Sequence, residues 1–263
     1  MPAIDILIPA IEKDLATLPR VIDSARAQIR HPIRRIFVVA PKSDKIRRLC
    51  KKKNCRFVDE TTVLPLRKAD IRHRSKKWER SGWMLQQLLK MSGDVLCATP
   101  NFLVMDADTV LIRPHTFMKG KKTVYYCRKW SQPEYFRTYR RLMGKPRTAR
   151  VSFVAHYMLF NRAKLARLKK TIEAKHHTRW YRAILRKMDR SKPFAFSEYE
   201  TYGNYVYANN PRSAIFRSTL NKSLHTDVRR ISAERLRALA KKYRSLSFHK
   251  RGGYVRKPGV KRA

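Results

Sequence analysis

The fold is decided by three short β-rich runs near the start of the chain: IDILIP at residues 4–9, RRIFVVAP at 34–41 and CRFVDE at 55–60. Their apolar and β-branched composition predicts buried strands. The stretches between them, residues 14–29 and 43–54, carry apolar side chains at helical spacing and predict helices. Alternation of this kind gives parallel strands joined by crossover helices. We therefore predict an α/β fold in which one mixed, Rossmann-like sheet is flanked by helices.

The carboxyl ends of these strands are the expected ligand-binding edge of the sheet. In open sheets of this kind, ligands bind in the crevice beyond those ends. The ends fall near Pro9, Ala10 and Glu12, at Pro41, and at Asp59 with Glu60. No GxGxxG pattern follows the first strand, which argues against a dinucleotide-dependent oxidoreductase. We predict that Pro9, Ala10 and Glu12 line a nucleotide site.

A second informative segment is NFLVMDADTVLIRP at residues 101–114. The run NFLVM predicts a strand that stops at Asp106 and Asp108, two carboxylates on the same side of an extended chain end. Mg²⁺ and Mn²⁺ prefer oxygen ligands and keep positions open for substrate phosphates. The pair therefore predicts a metal site that neutralises a departing diphosphate. The bare Asp-x-Asp spacing is weakly specific, and an acidic turn capping a strand is the alternative.

The rest of the chain gives a coarser pattern. We predict a helix within residues 76–91, with Trp78, Leu85, Leu88 and Leu89 on one face, followed later by strands at 121–127 and 151–160. Residues 133–147 form a positively charged stretch without an assigned element, and 196–210 are expected to form a loop. Helices are predicted at 161–177 and 231–243. We divide the chain into a nucleotide-sugar-binding half at 1–110 and an acceptor-binding half at 111–263 within one continuous domain.

The net charge points to an anionic partner. Lys and Arg number 62 against 19 Asp and Glu, a formal charge of +43, and the basic clusters are spread along the chain. Nucleic acid is one possible partner, but no zinc-finger, RNA-recognition or K-homology signature is present in the sequence. A phosphate-bearing substrate or an anionic membrane surface explains the charge equally well. A general bias toward basic proteins is the alternative without a specific partner.

The sequence also suggests a compartment. No apolar run approaches the roughly 18 residues of a membrane span, and the first residues lack a basic leader region. The four cysteines form no CxxC pair. We expect a soluble protein in a reducing, cytoplasmic setting, with peripheral contact at a membrane surface compatible with the charge.

The segment GWMLQQLLKM at 82–91, the strand after it and DADTVLIRP at 106–114 resemble the region around the DxD motif of GT-A glycosyltransferases. The resemblance is to the glycogenin-like and lipopolysaccharide galactosyltransferase-like families and related uncharacterised bacterial sugar transferases, and it covers most of the chain. It implies that one aspartate binds the metal directly while the other reaches both the ribose and the metal. It also implies that Arg80, Gln86 and Gln87 contact the diphosphate or the sugar hydroxyls.

Two downstream segments extend the resemblance. HYMLFNRAKL at 156–165 looks like a strand and loop that help to hold the acceptor, and His156 is a candidate donor to an acceptor hydroxyl. FSEYETYG at 196–203 occupies the place of an acidic segment and makes Glu198 and Glu200 the candidate catalytic residues. In an inverting reaction one of them would remove the acceptor proton, and in a retaining reaction it would stabilise the oxocarbenium-like centre.

The resemblance further implies a histidine that closes the metal site near the C-terminus. The family pattern is His-x-x-Gly followed by Lys-Pro, and this chain has His249, Gly252, Lys257 and Pro258. The spacing to Lys-Pro is longer here than in that pattern. His249 is therefore the predicted third metal ligand, with His225 as the alternative, and Lys257 is expected to contact the diphosphate as a point charge.

Together these features predict a metal-dependent hexosyltransferase that uses Mn²⁺ or Mg²⁺. The expected donor is a nucleotide sugar, with UDP as the expected carrier. The expected acceptor is a hydroxyl of a glycan or glycolipid, and the positive charge of the chain is compatible with an acceptor that carries an anionic group. A sugar nucleotidyltransferase is the first alternative, although the glycine-rich basic loop typical of that class is missing after the first strand. A non-catalytic nucleic-acid-binding protein is the second alternative, favoured only by charge.

Overall fold

The computed structural model describes residues 1–249. The elements of the first half are β1 (Ile4–Pro9), α1 (Leu18–Gln28), β2 (Ile33–Ala40), α2 (Asp44–Lys52), β3 (Arg56–Asp59), α3 (Lys68–Ile71), β4 (Arg74–Ser75), β5 (Trp78–Glu79), α4 (Ser81–Lys90), α5 (Gly93–Leu96), β6 (Asn101–Met105) and β7 (Thr109–Leu111). Those of the second half are β8 (Met118–Lys119), β9 (Lys122–Cys127), α6 (Pro133–Met143), β10 (Tyr157–Asn161), α7 (Arg162–His176), α8 (Trp180–Lys187), α9 (Glu198–Asn209), β11 (Ala214–Ser218), β12 (Asn221–Leu224), α10 (Ala233–Ala240) and β13 (Ser245–Phe248).

A five-stranded mixed sheet forms the centre of the molecule, with strand order β10-β6-β1-β2-β3. Strand β1 runs parallel to both β2 and β6, and β2 runs parallel to β3. Strand β10 is antiparallel to β6 and closes the other edge. The predicted βαβαβ start and the mixed α/β sheet flanked by helices are thereby confirmed. Smaller sheets, β11-β9-β8 and β12-β13-β7 with three strands each and β4-β5 with two, lie outside this sheet.

The central sheet separates two apolar layers. Successive side chains of a strand point to opposite faces, so Leu7 packs in one layer while Ile6 and Ile8 pack in the other. Helices α4, α7, α8 and α9 cover the first face, and α1 and α2 cover the second. Because both faces are covered, β1 is buried along its whole length and is apolar except for Asp5, which pairs with Arg34.

Strands from both predicted halves enter the same sheet. Strand β10 comes from residues 157–161 and pairs with β6 from residues 101–105. The boundary placed between residues 110 and 111 therefore crosses a shared sheet. No helix within residues 1–249 is long and apolar enough to span a membrane.

The prediction of a loop at 196–210 was wrong, because this segment forms helix α9. Its residues from Glu198 to Val206 are all buried, including both glutamates. A helix that is buried on every side has no apolar stripe, and its sequence lacks the amphipathic period that predicts helices. The unassigned basic stretch also contains a helix, α6, whose buried face includes Tyr135, Tyr139 and Leu142.

The placement of Trp78 on the helix with the leucines was also wrong. Trp78 lies in the short strand β5, which pairs with β4. Helix α4 begins only at Ser81, whose hydroxyl accepts a hydrogen bond from the backbone N–H of His73 at 2.9 Å. Because of the hairpin and this contact, the helix begins later than the spacing of apolar residues from Trp78 onward had indicated.

Candidate functional site

The turn after β6 lies at the carboxyl edge of the central sheet and is held by three other segments. The backbone N–H of Asp106 donates to the carbonyl of His156 at 2.9 Å, and that of Phe248 donates to the carbonyl of Asp108 at 2.8 Å. The hydroxyl of Thr17, just before α1, donates to the carbonyl of the residue between the aspartates at 3.1 Å. The neighbouring segments thus fix the orientation of the two predicted metal-binding carboxylates.

Both oxygens of Asp106 have partners. Oδ1 accepts from Lys90 Nζ at 2.5 Å and from the Tyr199 hydroxyl at 3.2 Å, while Oδ2 lies 2.9 Å from His156 Nδ1. Burial by itself raises the pKa of Asp106, but the Lys90 ammonium and the His156 hydrogen bond outweigh it and hold the pKa below its usual range. Asp106 is therefore an anion with a defined orientation.

Lys90 links Asp106 to one of the predicted catalytic glutamates. Its ammonium lies 2.8 Å from Glu198 Oε1, and the Lys90 and Glu198 side chains are 6% and 0% exposed. Burial lowers the pKa of Lys90, but the two carboxylates overcome this effect and raise it above its ordinary value. One ammonium thus serves two carboxylates in a region of low dielectric constant, where such contacts are strong.

Glu198 keeps hydrogen-bonding capacity that none of the described residues uses. Its Oε2 is buried and has no hydrogen-bond partner within residues 1–249. Burial raises the pKa of Glu198, and the Lys90 charge opposes that rise. Buried polar atoms are almost always paired, so Oε2 is available for a hydrogen bond from a water molecule or a ligand.

Asp108 contacts the predicted third metal ligand. His249 Nδ1 lies 3.0 Å from Asp108 Oδ2, and the side chains of both residues are 28% exposed. The imidazole rings of His249 and His156 have centroids 5.4 Å apart. The competing candidate, His225, is exposed. Of the two histidines, the structure places His249 against the aspartate pair.

The donor atoms of this group suit a hard divalent cation, since carboxylate oxygens and imidazole nitrogens are ordinary ligands for Mn²⁺. Asp106, Asp108 and His249 are the residues that could hold it. Within residues 1–249, however, no three acidic, histidine or cysteine side chains are already arranged as a metal-binding group. Asp106 engages Lys90 and His156 instead, so a bound cation would have to share or replace the His156 contact.

A third carboxylate, Asp14, lies close enough to the aspartate pair to feel its charge. Burial, with smaller contributions from the charges of Asp108 and Asp106, raises the pKa of Asp14 to about 6. Its Oδ2 accepts a hydrogen bond from the Ile11 backbone N–H at 2.9 Å. The short 3₁₀ helix Glu12–Ala16 therefore brings a further acidic group to this edge.

The three residues predicted at the end of β1 differ in their surroundings. Pro9 and Ala10 are buried, and the Ala10 N–H donates to the Val39 carbonyl at 2.9 Å. Glu12 is exposed and accepts from the Ser43 hydroxyl at 2.7 Å, with Lys45 at 3.4 Å. Its contacts are directed at the start of α2. The nucleotide-binding role of all three stays a prediction.

The three ligand-binding residues predicted on or beside the helix before β6 also differ in their surroundings. The Arg80 guanidinium lies over the Trp83 ring at 4.0 Å and the Phe194 ring at 5.1 Å, and its Nε donates to the Pro193 carbonyl at 2.9 Å. Gln87 is buried and donates to the Trp83 carbonyl at 3.2 Å, whereas Gln86 is half-buried. Arg80 and Gln87 thus have contacts that shape α4 itself, and their ligand contacts stay predictions.

Glu200 lies away from Lys90 in its own buried network. It accepts from the Ser152 hydroxyl at 2.5 Å and from Asn204 Nδ2 at 3.2 Å. Burial raises its pKa, and the Ser152 hydrogen bond opposes the rise. These are the contacts of a structural carboxylate, so the structure separates the two glutamates that the sequence treated as a pair. The catalytic role predicted for Glu200 stays untested, and Lys257 lies outside the described residues.

Three members of the group were missed by sequence reasoning: Lys90, Tyr199 and Asp14. Lys90 carried a usable signal, because it is a lysine within the apolar run MLQQLLKM, three residues after the buried Gln87. Tyr199 follows Glu198 in the sequence, but neighbouring side chains of a helix point in different directions. Its contact with Asp106 therefore depends on how the helix packs. Asp14 carried no local signal, since an acidic residue in a first turn is common at helix starts.

These features define an α/β protein with a carboxylate, imidazole and ammonium cluster at the ligand-binding edge of a mixed sheet. The chain belongs to the family of unknown function DUF6492, which it matches over residues 17–240. That match includes Lys90, the aspartate pair and Glu198, whereas Asp14 lies before it and His249 lies after it. No curated protein is significantly similar to the chain.

Several solved structures are similar at low identity. The galactosyltransferase LgtC, in complex with donor and acceptor sugar analogues, aligns with a TM-score of 0.48 and 15% identity over 95% of this chain and 88% of that chain. Mouse xyloside xylosyltransferase 1 in its apo form aligns with a TM-score of 0.49 and 13% identity over 97% and 100%. The bifunctional glycosyltransferase WbbM aligns with a TM-score of 0.45 and 12% identity over 94% of this chain and 45% of that chain. With TM-scores below 0.5, these alignments do not assign an activity to the chain.

Proposed function

We propose that this protein is a metal-dependent glycosyltransferase that moves a sugar from a nucleoside diphosphate sugar to an acceptor hydroxyl. The observation that supports it most is the charged cluster at the carboxyl edge of the sheet. There the buried Lys90 ammonium lies between Asp106 and Glu198, and Asp108 with His249 lies beside them. Ligands of open α/β sheets bind at this edge.

The metal side of the site consists of Asp106, Asp108 and His249. A bound Mn²⁺ or Mg²⁺ would supply Lewis-acid stabilisation of the departing diphosphate. In the protein, the turn holding the aspartates is fixed by backbone hydrogen bonds from Asp106 and Phe248, so the backbone that carries both carboxylates is already in place. His249 follows directly on β13, whose pairing with β7 brings it back to Asp108.

The sugar side consists of Lys90, Glu198 and Tyr199. Glu198 Oε2 is the buried acceptor without a protein donor within residues 1–249, and a hydroxyl of the donor sugar would satisfy it. The Lys90 charge holds the pKa of Asp106 low and opposes the rise that burial causes in the pKa of Glu198. The Tyr199 hydroxyl orients Asp106 at 3.2 Å. These three residues would position the sugar next to the diphosphate.

The transfer balances without a further reactant. The bond between the sugar C1 and the diphosphate oxygen breaks, and the bonding pair leaves with the nucleoside diphosphate. A new bond forms between C1 and the acceptor oxygen, and the acceptor hydroxyl releases its proton to a base or to solvent. We propose UDP as the nucleotide and a hydroxyl of a glycan or glycolipid as the acceptor. The charge of +43 supports an acceptor or surface that carries negative charge.

Donor hydrolysis across a panel of nucleotide sugars tests this proposal. The wild type is assayed with Mn²⁺, with Mg²⁺ and with EDTA, beside Asp108→Asn and a control, Asp23→Asn. Asp23 is a surface residue whose partner is Lys53. We expect metal-dependent turnover of at least one donor, a loss of about 100-fold or more in Asp108→Asn, and near wild-type turnover in Asp23→Asn.

The same experiment separates the alternatives. If no nucleotide sugar is bound or turned over in a metal-dependent way, the proposal fails. Pyrophosphate release from a nucleoside triphosphate and a sugar phosphate would instead identify a sugar nucleotidyltransferase. Salt-sensitive binding of random DNA that is unchanged in Asp106→Ala, without donor turnover, would identify a nucleic-acid-binding protein.

A further inference from the structure

A polar cavity of about 260 Å³ adjoins the charged cluster on the side of His156. Its lining includes His156, Arg128, Thr219, Asn221 and Ser223. The ring of His156 lies 2.9 Å from Asp106 Oδ2, so a single side chain separates the cavity from the aspartate pair. The cavity could therefore hold a second ligand next to the nucleotide sugar that we propose to bind at the aspartates.

The backbone around this cavity is held in an unfavourable conformation. Five non-glycine residues within 1–249 have positive φ, and three of them, Asn54, Arg72 and His177, lie at helix ends. The other two, His156 at φ 67° and Leu220 at φ 45°, both line the cavity. Left-handed backbone at non-glycine residues is energetically unfavourable and is concentrated at functional sites.

Contacts with neighbouring strands hold both residues in place. The His156 carbonyl accepts from the Asp106 N–H at 2.9 Å, and the Leu220 carbonyl accepts from the Arg244 N–H at 2.9 Å. Asn221, next along the lining, is oriented by the hydroxyls of Ser245 and Ser247, which donate to its Oδ1 at 2.7 and 3.2 Å. The lining is therefore preorganised, as a specific binding site requires.

Arg128 supplies an unused cationic donor to the cavity. Its Nε is buried and has no hydrogen-bond partner within residues 1–249. Burial lowers the pKa of Arg128, yet a guanidinium stays protonated throughout the physiological range. Glu200 is a carboxylate near enough to influence it, but Glu200 accepts hydrogen bonds from Ser152 and Asn204. Arg128 as a whole is half-buried and lines the cavity, and a guanidinium in this position is suited to an incoming carboxylate or phosphate.

An exposed aromatic side chain lies beside Arg128, next to the residues that line the cavity. The Arg128 guanidinium lies 5.5 Å from the centre of the Trp130 ring, and Trp130 is 58% exposed. An exposed tryptophan beside a polar cavity offers an apolar face on which a sugar ring can pack. A charge, hydroxyl and amide groups, and an aromatic face are thus placed together.

We propose that this cavity is the acceptor subsite, and that it selects an acceptor sugar bearing a phosphate or a carboxylate. Arg128 holds the anionic group, Asn221 and Ser223 contact the hydroxyls, and Trp130 packs against the sugar ring. His156 lies between this sugar and the aspartate pair. This inference rests on the proposed glycosyl transfer and adds the chemical class of the acceptor.

The test compares the binding of charged and neutral monosaccharides by titration calorimetry. The probes are galactose 6-phosphate, galacturonate and galactose, measured on the wild type, Arg128→Gln and a matched control, Arg217→Gln. Arg217 is exposed on β11 and its removal changes the net charge equally. We expect at least one charged sugar to bind the wild type about tenfold or more tightly than galactose, and this preference to vanish in Arg128→Gln but not in Arg217→Gln.

Two further variants keep the proposal testable if Arg128→Gln does not fold. Arg128→Lys keeps the charge without the planar fork and should retain part of the preference, and Trp130→Ala, at an exposed position, should weaken all three sugars. The two charged probes distinguish a phosphate from a carboxylate acceptor. Equal binding of charged and neutral sugars to the wild type, or a preference lost equally in Arg217→Gln, would overturn the subsite.

The failure of the proposed function would look different. Donor hydrolysis by the wild type is measured without an acceptor. If the wild type hydrolyses a nucleotide sugar but shows no charge preference among the monosaccharides, the acceptor subsite is wrong and glycosyl transfer stands. If it prefers a charged sugar through Arg128 but processes no nucleotide sugar, the anion site stands and glycosyl transfer is wrong.

Discussion

Replacing Lys90 with methionine removes the ammonium that lies between Asp106 and Glu198, at 2.5 and 2.8 Å. Methionine keeps much of the side-chain volume, so the main loss is the charge. Removing one partner of a buried ion pair typically costs about 3–5 kcal/mol, because the other partner is left buried and uncompensated. A chain of this size loses about 2–4 °C of Tm per kcal/mol. We therefore expect Lys90→Met to lower the Tm by about 6–20 °C at pH 7.5.

The loss should depend on pH in a defined direction. Asp106 has a folded pKa below its unfolded value of about 3.9, so its contribution is present above that value and is lost as the pH falls through the folded pKa. Lys90 has a folded pKa above its unfolded value of about 10.4, so its contribution is present below that value and is lost as the pH rises through the folded pKa. The contributions of Asp106 and Lys90 are thus both present from about pH 4 to pH 10. Glu198 has the opposite sign, because its folded pKa is raised and ionising it costs stability as the pH rises. In Lys90→Met both carboxylates take up protons more readily. The stability that this variant loses relative to wild type should therefore become smaller as the pH falls from 7.5 to 5.

Lys169 provides the matched control, since it forms an ion pair with Asp94 at 2.5 Å and both side chains are nearly buried. Lys169→Met should lose comparable stability by calorimetry but keep metal-dependent donor binding, whereas Lys90→Met should lose both. Adding Glu198→Gln to Lys90→Met should recover part of the lost stability. A Lys90→Met protein that loses less than about 1 kcal/mol at pH 7.5 and still binds donor would refute the reasoning.

Three further predictions concern other parts of the structure. His249→Ala should weaken Mn²⁺ binding by about tenfold or more in calorimetric titration, and His225→Ala should not; equal effects would exclude the assigned ligand. The folded pKa of Asp14 is raised to about 6, so ionising it costs stability as the pH rises from about 4 to 6. Asp14→Asn should therefore be about 1–3 kcal/mol more stable than wild type at pH 7.5 in EDTA, with no gain at pH 4 in urea unfolding. Gly203→Ala should destabilise the protein by about 1–3 kcal/mol, because a Cβ there would overlap the aromatic ring packed against α9, whereas Gly82→Ala meets only ordinary contacts; similar effects of the two substitutions on Tm would contradict this.

The first strands and helices could be predicted because their signals are local. IDILIP forms β1 over the predicted residues, and α2 and β3 fall within the predicted segments. A strand buried on both faces is a continuous apolar run, and a helix covering one face has an apolar stripe, so either pattern is visible without knowing its neighbours. Helix α9 failed this rule because its polar and aromatic residues are buried on every side. Its helical state depends on the elements around it.

The candidate site shows the same division between local and long-range information. The sequence by itself determined the α/β class, the position of Asp106 and Asp108 directly after a strand, and the excess of positive charge. Only the tertiary structure decided that Lys90 joins Asp106 to Glu198, that Glu200 lies in a separate network, and that His249 rather than His225 contacts Asp108. The physical reason is distance along the chain. Strand and helix patterns arise from neighbouring residues, whereas the ion pairs join side chains separated by 16 to 141 residues. Such contacts form only when the packing of both faces of the sheet brings those segments to one edge.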